Sequence, residues 1–187
     1  KTAESLIPGT YVIVETVVPT GYIKAADITI VVNEDRTITY NGVSSTSLTI
    51  DIENESIENS VTISKTFNDS YGSLDDVTFV IHADSESGAE VATLDNTNGF
   101  KTADSLLPGT YVIVEEEYPE GYTQYENITF VVNEDRTITY TGSVASTGSG
   151  TTAVTFDVEN KAIENSVSID KKFDDGTTDV AEVVFEI

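Results

Sequence analysis

The sequence predicts an all-β fold made of tandem antiparallel β-sandwich domains, and three observations support this prediction. Apolar and polar residues alternate over short segments, which is the period of a strand with one buried face. Clusters rich in Gly, Pro, Asn and Asp separate these segments, as expected of turns. No segment of useful length has helical periodicity. Short strands at this spacing are typical of an antiparallel sandwich or barrel.

The predicted elements form a complete series between residues 61 and 165. VTISKTF alternates so that Lys65 shares a face with Val61 and Ile63, and VTFVI alternates in the same way around Phe79. NDSYGSLDD between them has the residue types of a turn, whereas the stretch from 82 to 100 is predicted to be a polar loop. In chain order the predicted strands are 61–67, 77–81, 109–115, 128–132, 137–140 and 154–160, with a Pro-x-Gly turn at 119–121 and an NEDR hairpin turn at 133–136.

The chain repeats itself at a period that suits a whole domain. Residues 1–42 match residues 101–142 at 29 of 42 positions, and SIENSVTISKTF (56–67) matches AIENSVSIDKKF (162–173) at an offset of 106. The six extra residues fall in the Gly/Ser/Thr-rich stretch SVASTGSGTTA, where insertions cost little. A period of this length is too long for a solenoid unit and suits a domain in a tandem array.

The phase of the repeat predicts one complete domain and two partial ones. Residues 1–60 are the later part of a first copy, residues 61–165 are a complete second copy, and residues 166–187 open a third copy, with the alternation of 182–187 matching 76–81. Because the chain starts within a repeat and without Met, we expect it to be a fragment of a longer protein.

Composition excludes several classes of function. The 187 residues include 33 acids and 9 bases, and the net charge of −24 disfavours nucleic acid and anionic membrane surfaces as partners. There is no Cys, and no apolar run has the length of a membrane span. The acidic turns fail the EF-hand pattern and the single His82 lacks a second ligand, so we predict neither a metal nor a cofactor.

Three polar residues interrupt the core faces of the second copy. Lys65 follows Val61 and Ile63, Glu115 follows Tyr111 and Ile113 in GTYVIVEEEYPEGY, and Asn160 ends VTFDVEN. An unpaired buried Lys or Glu costs several kcal/mol, so each should have a partner. The three side chains can meet if the first and last strands of the domain are neighbours.

Such a meeting has a specific chemistry. Burial lowers the pKa of a lysine and raises the pKa of a carboxyl group. A neutral Lys65 amine is a nucleophile, and Glu115 beside the Asn160 amide can shuttle protons while the amine attacks the side-chain carbonyl. Ammonia leaves, and a Lys–Asn isopeptide bond ties the ends of the domain. The reaction happens once, so the protein is predicted not to be an enzyme with an external substrate.

The same positions recur in the partial copies. Glu15 and Asn54 correspond to Glu115 and Asn160, and Lys171 corresponds to Lys65. We therefore expect a second Glu–Asn pair at Glu15 and Asn54, and a second reactive lysine at Lys171. A register slip of one residue would turn Glu116 inward instead of Glu115.

The motifs of the second copy resemble the Cna B-type domains, also described as SpaA-like or prealbumin-like, of Gram-positive surface adhesins and pilins. LLPGTYVIVEEEYPEGY resembles the family signature, VTISKTF resembles the first strand with its reactive lysine, and VTFDVEN resembles the last strand with its acceptor asparagine. The likeness covers 61–165 and most of 1–60. It implies Ig-like β-sandwich domains with intramolecular isopeptide bonds, exported and usually attached to the cell wall.

Two functions follow as expectations. The first is a structural repeat of a cell-surface stalk, pilus or fibre, whose partners are neighbouring repeats or other copies of the chain, head to tail. In that arrangement Lys171 of one copy faces Asn54 and Glu15 of the next. The alternative is an adhesin module that binds a host or matrix ligand through loops 82–100 and 143–153. The similarity of the copies favours the stalk, because a ligand site would not need repetition.

Overall fold

The computed structural model describes residues 3–174 and residue 186. These residues contain twelve strands and two short 3₁₀ turns, at Leu74–Asp76 and Asn96–Asn98. The strands are β1 (Gly9–Ile13), β2 (Ile28–Val32), β3 (Ile38–Tyr40), β4 (Val43–Ser45), β5 (Ser60–Phe67), β6 (Thr78–Ala83), β7 (Glu90–Asp95), β8 (Gly109–Glu117), β9 (Ile128–Val132), β10 (Ile138–Tyr140), β11 (Ser146–Thr147) and β12 (Ala153–Asn160). The predicted all-β fold class is confirmed.

Strands β5 to β12 form a two-layer sandwich. One sheet has the order β10-β9-β8-β6-β7 and the other the order β11-β12-β5. Alternating apolar residues of both sheets share one core, in which Phe130 of the first sheet lies 6.1 Å, centroid to centroid, from Phe156 of the second. Burial of these apolar faces is the main force that holds the two layers together.

The first and last strands of the sandwich are neighbours, as the site prediction requires, but they run parallel. β5 and β12 pair in register from Ala153 with Ser60 to Asn160 with Phe67. All other named strand pairs in the described part of the chain are antiparallel. An alternating pattern indicates which face of a strand is buried, but it does not indicate whether the strand runs parallel or antiparallel to its neighbour. The parallel pairing of β5 with β12 could therefore not be predicted from the sequence.

One strand falls in a stretch predicted as a polar loop. β7, within residues 82–100, pairs with β6 at the edge of the larger sheet. Only Leu94 of this strand is fully buried, because an edge strand needs few apolar residues to remain paired. The weak apolar pattern explains why the sequence did not indicate it.

Strands β1 to β4 form a separate sheet in that order. Its first pair has the register of β8 and β9, with Tyr11 opposite Ile30 as Tyr111 is opposite Phe130. No described strand covers this sheet as β5 and β12 cover the larger one. The core-facing side of β1 is consequently open to solvent at Ile13, which is 40% exposed whereas Ile113 is 1% exposed; Ile30 and Val32 of β2 are still buried.

The strand predicted at 167–173 is not present in this structure. Residues 163–173 belong to no strand, and Val167 and Ile169 are exposed. A strand is stabilised by a hydrogen-bonded neighbour, and among the described residues this segment has none. The second predicted strand of the third copy, 182–187, lies outside the described residues.

No helix in residues 3–174 is long and apolar enough to cross a membrane. Over the same range, no group of His, Cys, Asp and Glu side chains is arranged to hold a metal ion.

Candidate functional site

The sandwich brings Lys65, Glu115 and Asn160 to one end of its core. Lys65 pairs with Val158 across the β5–β12 ladder, and Asn160 lies one pleat further on, so the two side chains are diagonal neighbours on the buried face. Glu115 lies on β8 of the opposing sheet. All three residues are buried. The parallel pairing of the first and last strands is what places the lysine beside the asparagine.

Glu115 and Asn160 form a direct hydrogen bond in the interior. Asn160 Nδ2 donates to Glu115 Oε2 at 2.9 Å, and the two residues are 1% and 2% exposed, respectively. The same carboxylate oxygen accepts from the backbone N–H of Tyr125 at 2.7 Å, and Asn160 Nδ2 also donates to the carbonyl of Thr123 at 2.8 Å. The loop 123–125 therefore fixes the orientation of both side chains.

The adjacent acid, Glu116, points away from this site. β8 has an irregular register opposite Thr78 and Phe79, where Glu117 and Glu115 are the successive partners and Glu116 is the extra residue. The Glu116 side chain is 44% exposed, and its Oε1 lies 3.2 Å from Nε2 of His82. Glu115 is thus the acid that faces the core.

Lys65 lies within the site but contacts neither partner. Its Nζ donates to the carbonyl of Thr66 at 2.6 Å and lies 3.7 Å from the ring centroid of Phe67. Burial lowers the pKa of Lys65 to about 8, although the Glu115 and Glu159 carboxylates act in the opposite direction. A substantial fraction of this side chain is therefore a neutral amine at mildly alkaline pH.

Two acceptor atoms of the site have no hydrogen-bond partner. These are Glu115 Oε1 and Asn160 Oδ1, both buried; the third such side-chain atom among the described residues, Arg136 Nε, lies elsewhere. A buried acceptor without a donor costs about 1–3 kcal/mol. The Lys65 ammonium carries three donors and lies on the same buried face. The arrangement therefore suits an approach of Nζ to these two oxygens.

A cluster of aromatic and polar residues covers the lysine, and sequence reasoning did not identify it. Phe67 packs edge-on against Tyr122 at 4.9 Å between centroids, and the Tyr122 hydroxyl donates to Asp69. This hydrogen bond raises the pKa of Tyr122 to about 12. Gly72 leaves room for the Phe67 ring, since a Cβ at Gly72 would lie 2.3 Å from it. The only sequence signal was the Tyr that follows the Pro-x-Gly turn.

The first copy repeats the Glu–Asn geometry without a lysine. Asn54 Nδ2 donates to Glu15 Oε1 and Oε2 at 2.9 and 3.1 Å, and the backbone N–H of Ala25 donates to Glu15 Oε2 at 3.2 Å. Ala25 corresponds to Tyr125 in the second copy. Both Glu15 and Asn54 are half-buried. The Glu15–Asn54 hydrogen bond therefore forms in the first copy without a lysine beside it.

Lys171 lies apart from both pairs. It is exposed, its Nζ donates to the carbonyl of Lys172 at 2.6 Å and it lies 4.1 Å from the ring centroid of Phe173. The local geometry resembles that of Lys65 with Thr66 and Phe67. The structure brings Lys171 to no carboxylate and no asparagine side chain among the described residues.

A sequence model of one protein family matches this chain. The SpaA prealbumin-like fold domain matches residues 1–46 and 59–145. The chain belongs to this family. The match confirms the resemblance drawn from the motifs around Tyr111 and includes β8 with Glu115, whereas Asn160 lies beyond the matched residues.

Several solved structures resemble parts of this SpaA-family chain. The C-terminal fragment of the pilus adhesin SpaC from Lactobacillus rhamnosus GG is 17% identical with a TM-score of 0.49, covering 88% of this chain and 80% of that one. The Bacillus anthracis TIE protein is 21% identical with a TM-score of 0.49, covering 84% and 26%. The shaft pilin SpaA of L. rhamnosus GG is 17% identical with a TM-score of 0.37, covering 84% and 66%. No curated protein matches the chain. The family assignment rests on the sequence model alone.

Proposed function

We propose that this chain is a structural repeat of a Gram-positive cell-surface stalk, pilus or fibre, stabilised by autocatalytic Lys–Asn isopeptide bonds. The observation that carries the proposal is the buried hydrogen bond between Glu115 and Asn160 on the face that also holds Lys65. A buried carboxylate, amide and lysine are costly to a core unless they serve a purpose. Formation of the isopeptide bond removes the positive charge of the lysine from the core, and the bond is the purpose that the three buried polar groups would serve.

The reaction balances with the residues present. Glu115 accepts a proton from the Lys65 ammonium, which leaves a neutral amine and a carboxylic acid. The amine Nζ attacks Cγ of Asn160, the new N–C bond forms, and the carboxyl group returns a proton to the departing amide nitrogen as the Cγ–Nδ2 bond breaks. The second amine proton passes from Nζ to the Glu115 carboxylate as the amide forms, so Glu115 ends as the carboxylic acid. The products are one isopeptide bond and one ammonia, with no oxidant or cofactor.

The bond would join the two ends of the sandwich. Lys65 lies near the end of β5, the first strand, and Asn160 is the last residue of β12. These strands also lie side by side, so a force that separates the chain ends would act on the bond before it reached the rest of the core. This placement suits a domain that bears tension in a chain without Cys.

The acidity of the chain and its family support a location at the cell surface. A net charge of −24 suits a soluble, self-repelling extracellular protein. Its partners would be neighbouring repeats or other copies of the chain, head to tail. The Glu15–Asn54 pair would then receive a lysine on a strand equivalent to β5, which is the role proposed for Lys171 toward the next copy.

The proposal is tested by the intact mass of the denatured chain, measured for the native sequence and for two variants, Glu116→Gln and Glu115→Gln. The native sequence and Glu116→Gln should each lack the mass of one ammonia, because Glu116 is outside the site. Glu115→Gln keeps the size and the acceptor oxygen of the side chain but cannot take the proton, so it should retain the full mass. Loss of ammonia in Glu115→Gln to the native extent would show that this carboxylate has no role.

A further inference from the structure

Two turns meet where residues 1–60 adjoin residues 61–165. One is the Pro-x-Gly-Tyr turn at 19–22, and the other is the NEDR turn at 133–136. Gly21 has φ +79°, and a Cβ placed on it would lie 2.5 Å from the carbonyl oxygen of Glu134 and 3.2 Å from Nε of Arg136. The backbone at Gly21 therefore lies against the second turn more closely than any residue with a side chain allows.

The later repeat provides an internal comparison for Gly21. Gly121 occupies the same place in its turn and has φ +87°, but no described atom lies within 4 Å of a Cβ placed there. Gly121 is exposed, whereas Gly21 is buried. The turn itself is the same in both copies, so the difference in burial comes from the contact with the NEDR turn.

The arginines show the same difference on the other side of the contact. Arg36 and Arg136 are the two arginines of the chain, and both have φ 69°. Arg136 Nη1 donates to the carbonyl of Leu106 at 3.0 Å, and Arg36 Nη1 donates to the carbonyl of Leu6 at 3.2 Å. Although both side chains donate the same hydrogen bond, Arg136 is 7% exposed whereas Arg36 is exposed. Contact with the Gly21 turn buries Arg136.

We infer that these turns are the two halves of a joint that recurs between consecutive copies of the repeat. Both copies carry both halves, as PTGY or PEGY and as NEDR. Arg36 would receive the Pro-x-Gly-Tyr turn of another copy, and the Gly121 turn would dock on a further NEDR turn. The contact is heterologous, so repetition extends it into a linear array. This inference rests on the proposed role as a stalk repeat and identifies the surface through which repeats meet.

The joint would restrict the angle between repeats. Domains joined by a short segment move relative to each other unless an interface holds them. Here the backbone of Gly21 packs against the backbone of Glu134, and the side chain of Arg136 lies beside this contact. Arg136 is positively charged, whereas the chain as a whole is strongly acidic. Buried Arg136 Nε has no hydrogen-bond partner, and it lies 3.2 Å from a Cβ placed on Gly21, so it faces the Pro-x-Gly-Tyr turn.

Distances between spin labels on the full 187-residue chain test the joint. The chain has no cysteine, so labels can be placed on Val43→Cys in the first copy and Tyr71→Cys in the second, at positions 59% and 89% exposed. Gly21→Ala places a methyl group against the Glu134 carbonyl. Gly121→Ala introduces the same backbone strain where no atom is near, and is the matched control. Arg136→Ala and Arg36→Ala form a second pair.

We expect one narrow distance distribution in the parent chain, in Gly121→Ala and in Arg36→Ala, and a broad distribution in Gly21→Ala and Arg136→Ala. A broad distribution in the parent chain would overturn the inference, as would equal widths in Gly21→Ala and Gly121→Ala. The intact mass of each variant is measured on the same samples. If ammonia is lost but the widths do not differ, the joint fails and the isopeptide function stands.

Discussion

Replacing Lys65 with methionine tests the stabilising effect assigned to the isopeptide bond. Methionine keeps the length and apolar character of the lysine stem and removes the amine, so the bond cannot form. Lys65 is 9% exposed, and methionine places no new polar atom in the core. Glu115 and Asn160 keep the hydrogen bond that they form in this structure. The change therefore isolates the cross-link from the packing around it.

The size of the effect follows from the position of the bond in the chain. Residues 65 and 160 are 95 positions apart, so nearly the whole domain lies inside the closed loop. A cross-link that closes a loop of about 100 residues lowers the entropy of the unfolded chain by the equivalent of about 4.7 kcal/mol. At about 4–8 °C per kcal/mol for a domain of this size, Lys65→Met should lower the Tm by roughly 20–40 °C.

Scanning calorimetry of the full chain measures this shift, with intact mass confirming the presence or absence of the bond. Lys161→Met is the matched control, because Lys161 is exposed and lies one residue beyond the acceptor. It should keep the bond and shift the Tm by only a few degrees. If the parent chain has lost ammonia and Lys65→Met still unfolds within a few degrees of Lys161→Met, the core alone stabilises the domain and the entropic reasoning is wrong.

Two further predictions concern the site and the core. Asn160→Ala cannot form the bond and retains the Lys65 amine. In the folded variant the pKa of Lys65 is about 8, whereas in the unfolded chain it is 10.5, so between these values the unfolded chain binds more protons. The free energy of unfolding should therefore increase as pH rises above about 8. Denaturant titrations up to about pH 9 keep tyrosine ionisation small. A flat profile over this range would contradict the burial of the amine. The double variant Asn160→Ala with Lys65→Met lacks the amine and should give that flat profile. Asn59→Ala should destabilise the domain by about 1–3 kcal/mol, because the buried Asn59 side chain pairs with both the N–H and the carbonyl of Leu106. The exposed Asn127→Ala should cost less, and equal unfolding midpoints would show that the Asn59 pair contributes nothing.

The alternation of strands was enough to predict which polar residues turn inward. Lys65, Glu115 and Asn160 each follow two apolar residues on the same face, and the structure buries all three. The same alternation predicted Glu115 rather than Glu116 as the inward acid. The irregularity in the β6–β8 ladder at Glu116 was not predicted, because no residue type signals it.

Other features depend on contacts that leave no pattern in the sequence. The direction of β12 relative to β5 is a property of the chain path between them. The N–H of Tyr125, which binds Glu115, is a backbone group that any residue except proline carries. The strand predicted around Lys171 needs a neighbouring strand, and alternation alone does not provide one. The contact of Gly21 with the NEDR turn forms only between two consecutive repeats, so the sequence of one repeat does not reveal it.

The most direct measurement of the central claim is peptide mapping of the denatured, protease-digested parent chain by tandem mass spectrometry. We predict a branched peptide that joins the Lys65 segment to the Asn160 segment, lighter than the sum of the two peptides by one ammonia, with fragment ions that place the junction at Lys65 and Asn160. Recovery of these two segments only as separate linear peptides, with unmodified Lys65 and Asn160 and an intact chain of full mass, would contradict the assignment of this site.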